Sequence, residues 1–457
     1  MKIIILGGGR VGGSLAESLA NEQIDITVID SNESKIRELQ DRLDIACIHG
    51  HAAHPEILES SGLEDADMLV AVTGSDEINM VACQIAHSLY RTPTKICRIR
   101  ATSYINQKNL FNPDSIPVDV IISPGKLATN HIKGLLEHPG SLQVLNFANG
   151  AAQLIAIRAH KGDRFVGHTL YEIHKMTPDQ DARVAAIFRG DRAIEPTRET
   201  VIQPQDEVFY IAAKENIHPV MKELGQLSKT YKKIMIAGGG NIGLHLAQSI
   251  ENNYDVKIIE ASQSRAQTLS ENLDKAIVLH GNVSDTELLN NENIENIDVF
   301  IALTNDDEAN IMSSLLAKRM GARKVITLIN NPAYIDLVQG EEIDVAFAPQ
   351  LVTLGSILAH VRRGDMAAVH SLRRGAAEAL EIIAHGDEKN SKVIGKKLAD
   401  IPLPKGVKIG AIVRNDAVLI AHRDVVIQPE DHVVVFLVDK SQIPAVEKLF
   451  HVGLGFF

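Results

Sequence analysis

The stretch Lys2-Ile-Ile-Ile-Leu-Gly-Gly-Gly-Arg-Val-Gly, residues 2 to 12, returns 231 positions later as Lys233-Ile-Met-Ile-Ala-Gly-Gly-Gly-Asn-Ile-Gly, residues 233 to 243. In each copy a short apolar strand runs into glycines in GxGxxG register, Gly7, Gly9 and Gly12 in one and Gly238, Gly240 and Gly243 in the other, and then into an apolar helix start. An acid closes the next strand: Asp30 in ITVID and Glu260 in VKIIE. That order is a dinucleotide-binding fingerprint. The first glycine allows the tight turn, the second lets a phosphate approach the backbone, and the third lets helix pack on strand. Such a helix start offers free amides and a positive dipole end to a pyrophosphate. A carboxylate at Asp30 or Glu260 accepts from ribose hydroxyls and repels a 2′-phosphate, which favours NAD(H) over NADP(H) and leaves ATP and ADP open.

The copies stay in register beyond the loop. CIHGHA (47 to 52) matches VLHGNV (278 to 283), and DMLVAVTGSDEINMVACQIAHSL (67 to 89) matches DVFIALTNDDEANIMSSLLAKRM (298 to 320). Strands alternating with helices at this spacing predict an α/β fold, with two tandem Rossmann-type doubly wound parallel sheets. VDVIISP (118 to 124) then matches IDVAFAP (343 to 349) at an offset of 225, and an apolar-periodic helix follows in each half. Leu351, Leu354, Leu358 and Val361 mark one stripe, and Leu127, Ile132 and Leu135 the other. Each stripe needs a partner, in its own domain or in another subunit.

The rest of each half is strand-rich. ARVAAIFRGD (182 to 191) matches VKIGAIVRND (407 to 416), and VIQPQDEVFYI (201 to 211) matches VIQPEDHVVVF (426 to 436). With a closing helix at 217 to 224 and at 443 to 450, each is a small α+β module. The expected boundaries are a Rossmann-type domain at 1–124, a helix and C-terminal module at 125–225, a second Rossmann-type domain at 232–349 and a second helix and module at 350–457. The junction lies at 226 to 232.

Strand-end positions complete the candidate pockets: Gly50 with His51, Thr73 with Asp76, and Arg98 or Arg100 in the first half. In the second half Gly281 with Asn282 and Thr304 with Asp307 correspond, and Thr327 and Ile329 stand at the arginine positions. Arg10, inside the first loop, is a phosphate candidate that Asn241 replaces in the second, so the two sites are expected to differ. Glu77, Glu308, Asn79 and Asn310 read as helix-start residues, and Asp76 and Asp307 also fit caps. His51 and His54 lack an evident third ligand, so no metal site is expected.

Composition narrows the function. A net charge of -12, 4% aromatic residues and no tryptophan disfavour nucleic acid and anionic lipid as direct partners. Cys47, Cys83 and Cys97 form no CxxC pair, which fits a reducing compartment. No apolar run approaches the ~18 residues of a membrane span. A dehydrogenase needs a substrate domain that presents an acid/base to the nicotinamide, and the duplicated modules carry no such constellation. An NAD-dependent oxidoreductase is therefore the rival reading, and a redox-sensing transcription regulator a weaker one.

The tandem pattern resembles the TrkA family, cytoplasmic subunits of bacterial Trk potassium uptake systems. These are built from two RCK (regulator of potassium conductance) units, each a TrkA-N plus a TrkA-C domain. The resemblance spans the chain and rests on IILGGGRVGGSLAE, DADMLVAVTGSDEINMVACQIA, NDDEANIMSSLLAKRMGARKV and SLRRGAAEALE. It implies a non-enzymatic, nucleotide-sensing gating subunit with NAD(H), and ATP or ADP, as ligand. It further implies a cytoplasmic protein held on the inner face of the inner membrane by a potassium-translocating integral membrane subunit, with four chains forming a ring of eight RCK units. The family's phosphate loop carries over onto Gly7, Gly8, Gly9, Arg10, Val11 and Gly12, its ribose acid onto Asp30, and its strand-end contacts onto Thr73 and Arg98, with His51 beside them. In the second half it carries over onto Gly238, Gly239, Gly240, Asn241, Ile242, Gly243, Glu260 and Thr304, with Asn282 beside them.

Overall fold

The computed structural model describes residues 1–452 apart from 21, 23, 108, 177–180, 191, 225–228, 339–341 and 363–364. Part of the expected junction, 226–228, therefore lies outside the described residues. The chain divides into two compact units: residues 1–127 with 350–362, and residues 128–349 with 363–457.

In the first unit, strands β1 (Lys2–Leu6), β2 (Asp25–Asp30), β3 (Ala46–His49), β4 (Met68–Ala71), β5 (Thr94–Arg98) and β6 (Val120–Ile122) form a parallel sheet of order 3-2-1-4-5-6. Helices α1 (Arg10–Leu19), α2 (Glu33–Arg42), α3 (Pro55–Ser60), α4 (Asp76–Ile85) and α5 (Thr102–Ile105) make its crossovers. Ile3, Ile4, Ile5 and Leu6 are fully buried, as the centre of a sheet covered on both faces requires. Strand order reverses between β1 and β4, so a crevice opens at the carboxyl ends of these strands, where the glycine loop lies. A single π turn, Ala86–Tyr90, ends the helix begun at Asp76.

The helix after the sheet, α6 (Pro124–Glu137), passes into the second unit. Its Ala128, Ile132, Leu135 and Leu136 join a core with Ile234, Leu246 and Val299 of the second Rossmann-type domain, and His131 lies 5.2 Å from the Phe347 ring. Strands β7 (Ser141–Phe147), β8 (Ala152–Arg158), β9 (Ala182–Arg189), β10 (Arg192–Ile194) and β11 (Glu207–Ala213) then form an antiparallel sheet of order 10-9-11-8-7, with α7 (Leu170–Met176) and α8 (Lys214–Glu223).

The second parallel sheet repeats the first: β12 (Lys233–Ala237), β13 (Asp255–Glu260), β14 (Ile277–His280), β15 (Val299–Ala302), β16 (Lys324–Leu328) and β17 (Val345–Phe347), in order 14-13-12-15-16-17. Its helices are α9 (Asn241–Ile250), α10 (Gln263–Asn272), α11 (Thr286–Asn291), α12 (Asp307–Arg319) and α13 (Pro332–Val338). Helix α14 (Pro349–Val361) belongs to the first unit. There the buried Arg362 holds Glu22 at 3.1 Å. Each stripe helix thus packs with the Rossmann-type domain of the other half, an outcome that neither expected partner covered. α14 buries Gly355, Ile357, Leu358, Ala359 and Val361, more than one stripe, so it lies within the unit's interior.

The last module, β18 (Met366–Leu372), β19 (Ala377–Ile383), β20 (Val407–Arg414), β21 (Ala417–Ile420) and β22 (His432–Leu437), has order 18-19-22-20-21 and closes with α15 (Ile443–Phe450). The two antiparallel sheets share one core, with Phe147, Phe188 and Phe209 of one beside Leu372, Val434 and Phe436 of the other. In each module the Pro-Asp turn does more than reverse the chain. Fully buried Asp206 accepts from Arg189 at 2.8 and 2.9 Å and from the Gln203 amide at 2.8 Å, and Asp431 repeats this with Arg414 and Gln428.

Candidate functional site

Gly7 has φ +101°, where only glycine is unstrained, and turns the chain off β1. A Cβ on Gly12 would sit 1.9 Å from the Gly7 carbonyl oxygen, so the third glycine permits the contact of α1 with β1. The middle glycine offers its amide inward: Gly8 donates to Asp30 Oδ2 at 2.8 Å, while Asn32 donates to Oδ1. Gly9 caps α1, and a Cβ there would approach nothing closer than Lys35 Nζ at 3.9 Å. What Gly9 leaves vacant is a cavity.

That cavity, about 490 Å³, is lined by Gly7, Gly9, Arg10, Val11, Asp30, His51, Thr73 and Arg98, so it gathers the first-half candidates except Gly8 and Gly12, which work behind its wall. Arg98 donates to the Thr73 carbonyl at 2.6 Å, and its Nε has no hydrogen-bond partner. Burial and the neighbouring Arg100 guanidinium push the Arg98 pKa down, with Asp76 pulling the other way, so the guanidinium is poorly solvated and an anionic group would relieve it. Lys35, 3.8 Å from Asp30, adds a further cation that sequence reasoning missed. Its second-half counterpart Arg265 donates to the Gly239 carbonyl at 2.8 Å; a basic residue five positions after the acid in both copies was the available signal.

Other candidates support the walls. His51 Nδ1 accepts from the Ala53 amide at 3.3 Å, and its ring lies 4.5 Å from that of His54. Among the described residues no group of three metal-ligating side chains occurs. Gly50 and Gly281 donate their amides to the carbonyls of Asp30 and Glu260. Ser75 and Asp306 are the helix N-caps, and Asp76 accepts from the Arg100 and Ala101 amides. Asn79 is no simple helix-start residue. Fully buried, it accepts from the Thr73 amide and hydroxyl at 2.9 and 2.7 Å and donates to the Arg98 carbonyl at 2.9 Å, tying the two strand ends together. Asn310 does the same between Thr304 and Leu328.

The second loop repeats the geometry. Gly238 has φ +106°, Gly239 donates to Glu260 Oε2 at 2.8 Å, a Cβ on Gly243 would lie 2.1 Å from the Gly238 oxygen, and nothing stands within 4 Å of one on Gly240. Asn241 opens α9 with Ile242 after it, and Asn282 Oδ1 accepts from the Ser284 amide at 2.9 Å, a turn role. The equivalence of Arg98 and Arg100 with Thr327 and Ile329 needs correction. Asn79 donates to Arg98 where Asn310 donates to Leu328, and Asp76 accepts from Arg100 where Asp307 accepts from Asn330. Leu328 and Asn330 are therefore the counterparts. Met68 pairs with Thr94 and Val299 with Lys324, so the first half holds one more residue between these strands, and the π turn takes it up. Thr327 points its hydroxyl to Ser314 at 2.8 Å, inside the core.

TrkA-N domain models match residues 3–124 and 234–349, and TrkA-C domain models match 154–225 and 387–451. The Trk system potassium uptake protein TrkA of Halomonas elongata is 56% identical over 457 residues, all of both chains. That of Vibrio alginolyticus is 54% identical over 98% of each chain. Among solved structures, the GsuK RCK domain aligns over 98% of this chain and 94% of its own with a TM-score of 0.60 at 18% identity. The GsuK channel bound to NAD aligns over 98% and 78%, also with a TM-score of 0.60 and 18% identity. With the domain pair matched twice and relatives this similar end to end, the chain belongs to the TrkA family of Trk system potassium uptake proteins.

Proposed function

We propose that the chain is a nucleotide-sensing gating subunit that binds NAD(H), and ATP or ADP, at its glycine loops without converting them, and controls potassium transport through a separate integral membrane subunit. The observation that carries this reading is the vacant volume over Gly9, walled by Arg10, Asp30 and Arg98 at the N-terminus of α1. The other glycine-loop residues, Gly7, Gly8, Val11 and Gly12, would form the phosphate cradle, with Thr73 and His51 at its edge. In the second half Gly238, Gly239, Gly240, Asn241, Ile242, Gly243, Glu260, Thr304 and Asn282 would form a less cationic one. Groups that a proton transfer would use are engaged in shaping the loop: Asp30 accepts two amides, His51 one, and the Thr73 hydroxyl is held by Asn79. The relatives carry the name of a potassium uptake protein, and a channel of the same fold is described as bound to NAD. Four chains would supply eight RCK units to a ring on the cytoplasmic face of the membrane.

The test is potassium flux through the reconstituted membrane partner with this chain present, while NADH, NAD, ATP and ADP are titrated. Flux is expected to change with nucleotide, and NADH absorbance is expected to stay constant with candidate carbonyl substrates. Steady NADH oxidation that disappears in Asp30→Ala would instead establish an oxidoreductase.

A further inference from the structure

A second cleft, about 700 Å³, lies where α6 meets the two antiparallel modules, within the second compact unit, and no glycine-loop residue lines it. The modules are copies related by 225 positions, yet two polar groups of this cleft have apolar counterparts. His370 and Glu381 correspond to Leu145 and Ala156. His432 corresponds to Glu207, which is closed in by Arg158 at 3.0 Å and by Arg373 at 3.4 Å. The counterpart of Arg373 is Ala148, and instead of a guanidinium it brings only its backbone amide, donated to Glu381 Oε2 at 2.9 Å. A large cation thus fills one copy where a methyl group leaves room in the other.

Gln153, 4% exposed, donates to Asn146 Oδ1 at 2.9 Å, but its own Oε1 is buried with no hydrogen-bond partner. Leaving such an acceptor unsatisfied is unfavourable, because its desolvation is not offset. Burial pushes His370 below its usual range, although the Asn146 carbonyl and Glu381 pull upward, and burial takes His131 on α6 down to about 4. Glu381 Oε1 lies 2.5 Å from His432 Nδ1. Towards the outside the lining carries Lys133 on α6 and Lys214 on α8, neither in an ion pair among the described residues, with Glu137 beside them.

We propose that this cleft binds a small amphoteric metabolite of the amino-acid class, its N–H donor satisfying Gln153 and Glu137 and its anionic group meeting Lys133 and Lys214. A ligand without the donor leaves Gln153 unsatisfied, and one without the anion forfeits the two lysines. Calorimetry on the full chain with L-glutamate, with glutarate, which has the same skeleton without the amine, and with inorganic phosphate separates these contributions. L-glutamate is expected to bind saturably, with glutarate at least about tenfold weaker and phosphate weaker still. Gln153→Leu should erase the preference for glutamate over glutarate. The surface double variant Lys133→Ala/Lys214→Ala, which leaves the core untouched, should weaken glutamate about tenfold, and NADH affinity should not change in either. Absence of saturable glutamate binding up to about 10 mM, equal binding of glutarate, or binding indifferent to these substitutions would overturn the proposal. So would an AMP signal lost in the cleft variants and kept in Gly9→Val, because it would make the occupant a nucleotide.

Discussion

At the scale of single residues, the three glycines of one loop have different tasks, and substitution separates them. A Cβ on Gly9 meets only the tip of Lys35, whereas one on Gly12 meets backbone at 1.9 Å. Gly9→Val is therefore expected to keep the parent's thermal midpoint while losing NADH binding at the first site, because its side chain fills the vacant volume. Gly12→Ala should cost at least about 2 kcal/mol in urea denaturation, since helix and strand must part to admit it. Unchanged nucleotide binding at both sites in Gly9→Val would show that the loop is not the phosphate cradle. Arg98 gives a second test. Replacing it with leucine, the residue its counterpart position already carries, should weaken ATP at the first site by about tenfold and leave the second alone, so that the two classes of site expected calorimetrically in the parent draw together. A parent protein whose sites are indistinguishable for ATP would refute the charge argument.

At the scale of elements, the attachment of α14 rests on an ion pair out of water, Glu22 with Arg362, and its repeat-related position on α6 is occupied by Glu137. Removing one partner of such a pair strands a buried charge, so Arg362→Ala should destabilise the first unit by about 3–5 kcal/mol, and the exchange Glu22→Arg with Arg362→Glu should recover part of that loss. Proteolysis of the first unit in urea would report it; an Arg362→Ala chain as resistant as the parent would mean that apolar packing alone seats the helix. Lys324 opens β16 and donates to the Ser141 carbonyl at 2.9 Å, and burial lowers its pKa from 10.5 to about 8, with Asp344 pulling upward. Between those two values the unfolded chain holds a proton that the folded chain lacks, so this group makes stability rise with pH across that window and contributes no slope below it. Lys324→Met should remove up to about 1.4 kcal/mol per pH unit of that rise, read as the difference between the denaturation curves of variant and parent at mildly and strongly alkaline pH.

For the whole molecule, nucleotide acts on transport only if it binds two conformations of the assembly with different affinity. Helices α6 and α14, each packed with the Rossmann-type domain of the other half, are the elements through which occupancy of one loop would be felt in the rest of the chain. Leu358 is buried on α14 in the first unit, so Leu358→Asp should disrupt assembly or uncouple nucleotide from potassium flux while nucleotide affinity at the second glycine loop, in the other unit, stays within about threefold of the parent. A variant that assembles and still gates fully would remove α14 from the coupling.

Sequence alone determined the fold class, two tandem Rossmann-type sheets each followed by a helix and a strand-rich module, because strand, turn and helix signals are local and the duplication presents the pattern twice. It also located both glycine loops with Asp30 and Glu260, since the tight turn at Gly7 and the close approach at Gly12 tolerate little else. Only tertiary structure decided which helix packs with which sheet: an amphipathic stripe states that a partner is needed, and two homologous domains offer nearly the same surface. The roles of Asn79 and Asn310 were equally hidden, because a polar residue in a first helical turn reads as a cap until the strand ends beside it are known. So was the register of Arg98 with Leu328, which depends on one residue absorbed in a π turn, a change of hydrogen bonding that leaves no mark in the apolar pattern.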